Sequence, residues 1–422
     1  MRTNKTIALT LLLAFAVLLT ACAGNETSVV AGDGSPSSSA ASAPSESGST
    51  GNSGDTFKLG QYLPLSGNNA TAGQTLLDGT KLAIEKVNAA GGLNGQQIEL
   101  VYYDTTSSTE EAAKITTKLV EVDKVDAVIT TPMSTEILAS AQTLMDNKVL
   151  TFALGTSPAV VKEEWDYLYR PALNNGYMMP VIFEMINKMG FENTAILYTQ
   201  DETCIAMMDL FEEAAKAQNM PILAKESFDM GETDYSAQLT NILATNPQFV
   251  FFAVSGDFVG LCAKQIRQMG YDGLIVSREL FPENQIQVAG DATSYFCFAN
   301  PYVTYGAVEE CDIPIMRAFL EEYYAAYNTM PNMDWAYRGH DTIMVLWEAS
   351  KIAGSNDPEA LKAAMSQVKF EGLGGTMDFT AGHEGYSTFN TFCVMAGKNL
   401  LFDAWYDNGG YAKMLEETGR ER

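Results

Sequence analysis

The first chemistry legible in this chain lies in four residues, Leu19-Thr20-Ala21-Cys22. They close an apolar run, Ile7 to Leu19, that follows the basic residues Arg2 and Lys5. A basic start, a short apolar core and small residues ahead of a cysteine form a secretory signal of the lipoprotein type. Ala21 is small enough for a peptidase subsite, and the Cys22 thiol is the group that takes a diacylglyceryl chain. The apolar core is too short for a permanent span, which needs roughly 20 apolar residues. Two or more acyl chains on Cys22 give stable anchoring, where one gives only marginal binding. The expectation is a mature protein outside the cytoplasm, lipid-anchored to the outer face of the cell membrane, on the periplasmic side where an outer membrane exists.

Catalytic chemistry is otherwise scarce. Only His340 and His383 are present, so a histidine-based triad or metal cluster is poorly supplied. No G-x-S-x-G, H-E-x-x-H or Walker-type phosphate loop occurs. Ser366-Gln367-Val368-Lys369 matches S-x-x-K on a polar helical stretch, but the companion Lys-Thr-Gly is missing and so short a pattern arises by chance. The 52 acidic residues offer many carboxylate pairs, none in a glycosidase-like context. These features predict a protein that is not an enzyme and needs neither metal nor cofactor. A net charge of −26 repels nucleic acid and anionic headgroups. With Cys22 committed to lipid, Cys204, Cys262, Cys297, Cys311 and Cys393 remain, with no CxxC among them. An odd number cannot be a complete disulfide framework, so either Cys297 bridges Cys311 or the thiols are free and buried.

The elements that would position a site begin after residue 55. Residues 23–55 are dominated by Ala, Gly, Ser and Pro. Such a segment cannot bury enough apolar area to offset its ordering entropy and reads as a flexible tether, with a reach of roughly 30 Å. From residue 57, short apolar runs alternate with helical patterns. Residues 98–103, 127–129, 149–153, 195–198 and 249–254 read as strands. Leu76, Ala83, Ile84 and Val87 share one helical face, as do Ala112, Ile115 and Leu119, and again Ile137, Ala141 and Leu144. Near-continuous apolar strands alternating with helices predict parallel sheets covered on both faces. Two such stretches, roughly 57–173 and 180–298, predict two doubly wound α/β domains, each with its ligand crevice at the carboxyl ends of its strands. Asn88 to Gly95 reads as a helix stop and a turn into a strand.

An ordered set of motifs runs through the same region. Leu63-Pro64-Leu65-Ser66-Gly67, Gly79 to Val87, and Asn88 to Gly95 with Ile98-Glu99-Leu100 come first. The Ser134 region, Thr156-Ser157-Pro158 and Gly231-Glu232-Thr233-Asp234-Tyr235-Ser236 follow. Together they resemble the type I extracytoplasmic solute-binding proteins of ABC transporters, in particular the leucine/isoleucine/valine-binding proteins, over residues 57–422. The resemblance implies the type I periplasmic-binding-protein fold: two doubly wound parallel-sheet lobes joined by three crossovers near Leu173-Asn174, Ala299-Asn300 and Phe389-Asn390. Lobe one then comprises 57–173 and 300–389, and lobe two 174–299 and 390–422.

The resemblance also implies a zwitterion site. A carboxylate wants hydroxyls and backbone N–H groups at a helix start. Ser134, directly ahead of a helical pattern, aligns with the family's carboxylate-binding serine, a role compatible with capping the helix. Thr156 aligns with the threonine that bonds carboxylate and ammonium, and the Leu154 carbonyl with the ammonium acceptor; a shift of one residue gives those places to Ser157 and Gly155. Glu279 aligns with the acidic ammonium ligand, and Trp335 with an aromatic lining the side-chain pocket. Three tyrosines that shape the family's site correspond here to Ala72, Thr203 and Gly256. Branched-chain specificity therefore does not carry over, and a larger or more polar amino acid is expected, with Trp335, Tyr177 and Arg278 defining its pocket. The implied partners are an amino-acid-like ligand, a transporter permease and the membrane through Cys22, with the chain a monomer. A urea, amide, carboxylate or aromatic acid as ligand, or a sensory role beside a membrane receptor, stays open.

Overall fold

Strands that are apolar on both faces need cover on both faces, and the chain meets that need twice. The computed structural model describes residues 56–162, 164–278, 283–386 and 389–420. Cys22, the tether and Glu279 lie outside the described residues. The first sheet takes β1 (Phe57–Leu63), β2 (Ile98–Asp104), β3 (Ala127–Ile129), β4 (Leu150–Phe152) and β5 (Leu168–Tyr169), in the order β2-β1-β3-β4-β5. Every pair in it is parallel. The second sheet takes β6 (Thr194–Thr199), β7 (Ile222–Phe228), β8 (Phe249–Ala253), β9 (Leu274–Ser277) and β10 (Phe296–Asn300). A two-stranded hairpin, β11 (Lys369–Gly372) with β12 (Gly375–Asp378), stands apart. β13 (Asn390–Met395) and β14 (Lys398–Leu401) then complete the second sheet in the order β14-β13-β10-β9-β8-β6-β7. Its parallel part, β7-β6-β8-β9-β10, repeats the order of the first sheet, and only β13 and β14 are antiparallel additions. The fold is therefore α/β of the type I periplasmic-binding kind, with two lobes.

The strands expected between 98 and 254 all form. Phe249 to Ala253 is wholly buried, as a strand covered on both faces must be. Leu76, Ala83, Ile84 and Val87 turn the buried face of the helix Ala70–Ala89 into the first core, while on Ser134–Asp146 Ile137 and Ala141 pack with Ala153, Trp165 and Leu168, and Leu144 with Val128 and Val149, in separate clusters. Truncating such a buried aliphatic to Ala costs about 2–5 kcal/mol. The helix Trp335–Ala353 belongs to the first core although it lies far along the chain. It meets Ala70–Ala89 at close range because Gly79 faces it: a Cβ there would stand 2.0 Å from the Ala336 carbonyl oxygen. That approach brings Ala72 and Trp335, both at helix starts, to one end of the lobe.

The five cysteines described are all buried and none is in a disulfide. Cys297 on β10 is opposite Cys393 on β13, while Cys311 packs in the core of the first lobe, so the expected alternative of a Cys297–Cys311 bridge is not formed. Ser366 terminates the helix Pro358–Met365 and Lys369 opens β11, paired with Asp378 at 2.7 Å; the S-x-x-K pattern spans a helix end and a strand. Among the described residues no helix is long and apolar enough to cross a membrane.

Candidate functional site

In an open parallel sheet the crevice opens where the strand order reverses direction. That point falls between β1 and β3 in the first sheet and between β6 and β8 in the second. Loops from both points line a single cavity of about 400 Å³. Lobe one contributes Asn69 and Ala72 after β1, Ser107 and Thr109 after β2, Pro132 to Glu136 after β3, and Thr156 after β4. Met333 and Trp335 complete that wall. Lobe two contributes Gln200 to Thr203 after β6, Met230 after β7, Ser255 after β8 and Arg278 after β9. The residues that follow strands are also residues that start helices, so helix N-termini converge on the cavity from both sides.

The start of the helix Ser134–Asp146 is built to receive an anion. Met133 occupies its cap position, and no side chain bonds its first N–H groups. Ser134 was expected ahead of this helix as a cap; it is instead the first helical residue. Its Oγ accepts from the Ser157 N–H at 3.3 Å, which ties the helix start to the Gly155–Ser157 loop. Gly155 permits that contact, since a Cβ there would lie 2.7 Å from Ser134 Oγ. The helix dipole and the free N–H groups make this point favourable for a carboxylate.

The sequence candidates divide into two groups. Ser134, Thr156, Trp335 and Arg278 all line the cavity, and so do Ala72 and Thr203, two of the three positions that replace tyrosines. Gly256, the third, opens the helix Gly256–Gln268. Leu154, Ser157 and Tyr177 are not among the lining residues. Leu154 is fully buried in the first core, where its N–H donates to Thr130 Oγ1 at 3.0 Å. Ser157 spends its hydroxyl on the fold, accepting from the Ala159 N–H and donating to Glu202 Oε1 at 3.2 Å, a contact that crosses between the lobes. Tyr177 is 44% exposed on the helix Asn175–Met189. Trp335 is held by the guanidinium of Arg338, 4.1 Å above its ring and ion-paired with Asp334.

Two features of the site went unread in the sequence. Arg170, fully buried after β5, donates through Nη1 to the carbonyls of Gly155 (3.2 Å) and Ser157 (2.6 Å). Its other nitrogens grip Glu384 at 2.7 and 2.5 Å, and Asn174 Nδ2 joins the same carboxylate at 2.9 Å. This bidentate pair fixes the loop that carries Thr156. The second feature is a set of acids, Glu136, Asp201 and Glu202, on the cavity wall. Glu136 is 2% exposed, and desolvation pushes its carboxyl up to about 7, against the pull of the Thr131 and Thr105 hydroxyls. Among the described residues no group of His, Cys, Asp and Glu is arranged to hold a metal.

The periplasmic binding protein family model matches residues 56–395. The chain belongs to that family. Its members are binding proteins rather than catalysts, and the chain is a solute-binding protein that takes a small molecule between its lobes. It is related to branched-chain amino acid binding proteins. The Leucine-, isoleucine-, valine-, threonine-, and alanine-binding protein of Pseudomonas aeruginosa is 24% identical over 328 residues, 77% of this chain and 86% of the relative. The substrate-binding protein of a branched-chain amino acid transporter from Streptococcus pneumoniae, solved with isoleucine, is 27% identical with a TM-score of 0.72, covering 82% of this chain and 98% of that one. A solute-binding protein from R. palustris solved with benzoate shares the fold, with 21% identity, a TM-score of 0.73 and coverage of 82% of this chain and 95% of that one.

Proposed function

We propose that the chain is the extracytoplasmic, lipid-anchored receptor of an ABC importer, and that it captures an amino acid or amino-acid-like solute for a membrane permease. The observation that carries this reading is the asymmetry of the cavity. One wall offers an uncapped helix start with Ser134 and Thr156, suited to a carboxylate, and the other offers carboxylates suited to an ammonium. The anchor rests on Cys22, which precedes the Ala-, Gly-, Ser- and Pro-rich residues 23–55, and the receptor acts as a monomer. Lobe one (57–173 and 300–389) and lobe two (174–299 and 390–422) turn about the three crossings near 173–174, 299–300 and 389–390. The ligand binds lobe one first and stabilises the closed form through lobe-two contacts that the open form lacks. Glu279, next to the cavity-lining Arg278, is the ammonium ligand in this scheme.

A thermal-shift panel on the purified chain tests the reading. A specific binder at one hundred times its dissociation constant adds about 2.7 kcal/mol of stability. An amino acid is expected to raise the melting midpoint while its N-acetyl and des-amino analogues do not. Glu279→Gln is expected to weaken that amino acid by about 2 kcal/mol or more, roughly 30-fold, because an ammonium then stays buried without its counter-charge. Unchanged affinity in that variant contradicts the zwitterion scheme. A second reading, an aromatic carboxylate against Arg278 and the Trp335 ring, draws support from the benzoate-binding relative of the same fold. Equal shifts with benzoate and with the amino acid favour it. Loss of uptake on deleting the chain separates transport from sensing.

A further inference from the structure

Two strands of the second sheet meet at a pair of cysteines. In the antiparallel pairing of β10 with β13, Cys297 stands directly opposite Cys393. Residues opposed in this way send their side chains to the same face of the sheet. Both side chains accordingly lie in one core cluster of lobe two, fully buried. Antiparallel partners have Cα atoms about 4.5 or 5.5 Å apart, depending on their place in the hydrogen-bond pattern, and a disulfide spans roughly 4.4–6.8 Å. Either place suits a bridge without moving the backbone. The thiols are also close enough to act on each other: burial pushes the Cys297 thiol well above its ordinary range, and the neighbouring Cys393 pushes it further. The other described cysteines sit elsewhere. Cys204 is near the start of the helix Glu202–Ala217, Cys262 lies in a separate cluster beside Tyr235, and Cys311 packs in lobe one.

The place of the pair in the chain gives a bridge its consequence. β10 ends at Asn300 and β13 begins at Asn390, and the chain between them packs into the first core with the helix Trp335–Ala353 and the β11–β12 hairpin. That whole excursion through lobe one leaves from, and returns to, the two cysteines. A bond between them closes it at its base. Closing a long loop restricts the unfolded chain far more than the folded one, so a bridge that fits the native register stabilises the fold.

We propose that Cys297 and Cys393 are a redox pair, joined as a disulfide across β10 and β13 when the chain folds in an oxidising medium. The oxidant is a low-molecular-weight disulfide. The thiolate of one cysteine attacks it, forms a mixed disulfide and releases one small thiol; the second thiolate then attacks the protein sulfur of that mixed disulfide and releases the other. Two protein thiols are oxidised, the oxidant is reduced to two thiols, and the two protons leave with them. The exchange belongs to folding, because both sulfurs are sealed in the core once β13 has paired with β10 and a buried thiol is inert. The extracytoplasmic setting proposed above is one in which such bonds persist.

Refolding the reduced full chain in glutathione disulfide, followed by alkylation, digestion and peptide mass mapping, tests the proposal. The expected result is one linked peptide pair holding Cys297 and Cys393, with Cys204, Cys262 and Cys311 alkylated. The oxidised chain is expected to melt higher than the reduced one, and a reductant or the Cys393→Ala substitution is expected to remove that difference. Folded, reduced chain in the same oxidant is expected to form the bridge at least about tenfold more slowly than refolding chain. Alkylation of both Cys297 and Cys393 after refolding overturns the proposal, as does a bridge from either to another cysteine. A bridge between the two that fails to raise the melting midpoint overturns it as well, since the bond then does not fit the native register. Equal rates for folded and refolding chain overturn the assignment of the step to folding. The mass map needs no variant, so a Cys393→Ala chain that fails to fold leaves the test standing.

Discussion

The two sheets carry their strands to the cleft in the same order and furnish it differently. Lobe one brings hydroxyls, an uncapped helix start, the buried Glu136 and the Trp335 ring, whereas lobe two brings Asp201, Glu202 and Arg278. Their scaffolding differs too. The Gly155–Ser157 loop of lobe one is pinned by the buried Arg170–Glu384 pair, while the Asp201 and Glu202 carboxylates of lobe two each keep an oxygen without a donor. Strand order decides where a ligand can sit, and the residues placed there decide what it can be. A lobe with a braced docking loop and a lobe that brings Asp201, Glu202 and Arg278 is what a clamp needs if the first docks the ligand and the second closes on it.

The largest effect should come from breaking the braced loop. Arg170→Met leaves Glu384 without its bidentate partner and frees two carbonyls, and an expected loss of about 3–5 kcal/mol of stability can be read by urea melts. Arg170→Lys should not restore it, since a point charge cannot reach both Glu384 and the loop carbonyls. A wild-type melt for Arg170→Met would show that the loop needs no pin.

Next in size is a pH effect at Glu136, whose carboxyl burial pushes up from 4.5 to about 7, with Asp104 adding like-charge repulsion. Below about pH 4.5 the folded and unfolded chains are both protonated there, so the group does not affect stability. As pH rises toward 7 the unfolded chain ionises first, and the folded state loses ground; above about 7 the full cost is present. Glu136→Gln in the ligand-free chain should therefore match the wild type at pH 4 and exceed it at pH 8 by on the order of 3 kcal/mol. A difference that does not vary with pH would contradict a carboxyl whose ionisation is disfavoured by burial.

Smaller is the loss of the Ser134 hydroxyl. Ser134→Ala should cost about 1–3 kcal/mol of ligand binding, roughly 5- to 150-fold, and should also lower the melting midpoint, because the buried Ser157 N–H loses its acceptor. Smallest is the reshaping of the pocket. Ala72→Tyr should turn the ligand profile toward shorter side chains by roughly tenfold, and an unchanged profile would show that the extra room is not part of the ligand site.

Much of the fold could be read ahead of the structure because its signals are local. Ile137, Ala141 and Leu144 declare a buried helical face by spacing alone, and Phe249 to Ala253 declares a covered strand by its continuous apolarity. Ser134 and Thr156 entered through the ordered motifs and Trp335 through the family resemblance they carry, and the cavity receives all three. The rest depends on tertiary placement. Glu136 is one of 52 acidic residues, and nothing nearby in the chain tells that it is buried. Arg170 follows a strand like any surface arginine, and its partner Glu384 stands 214 residues away. Ser157 and Leu154 share a segment with Thr156, yet the backbone turns their side chains into the fold.

A crystal structure of the chain loaded with its amino-acid ligand tests the central claim most directly. The account predicts one ligand between the lobes, its carboxylate within hydrogen-bonding distance of Ser134 and Thr156 and its ammonium facing the carboxylate of Glu279. A ligand bound outside the cavity, or one whose carboxylate lies on lobe two against Arg278 with the Ser134 helix start left empty, would contradict it.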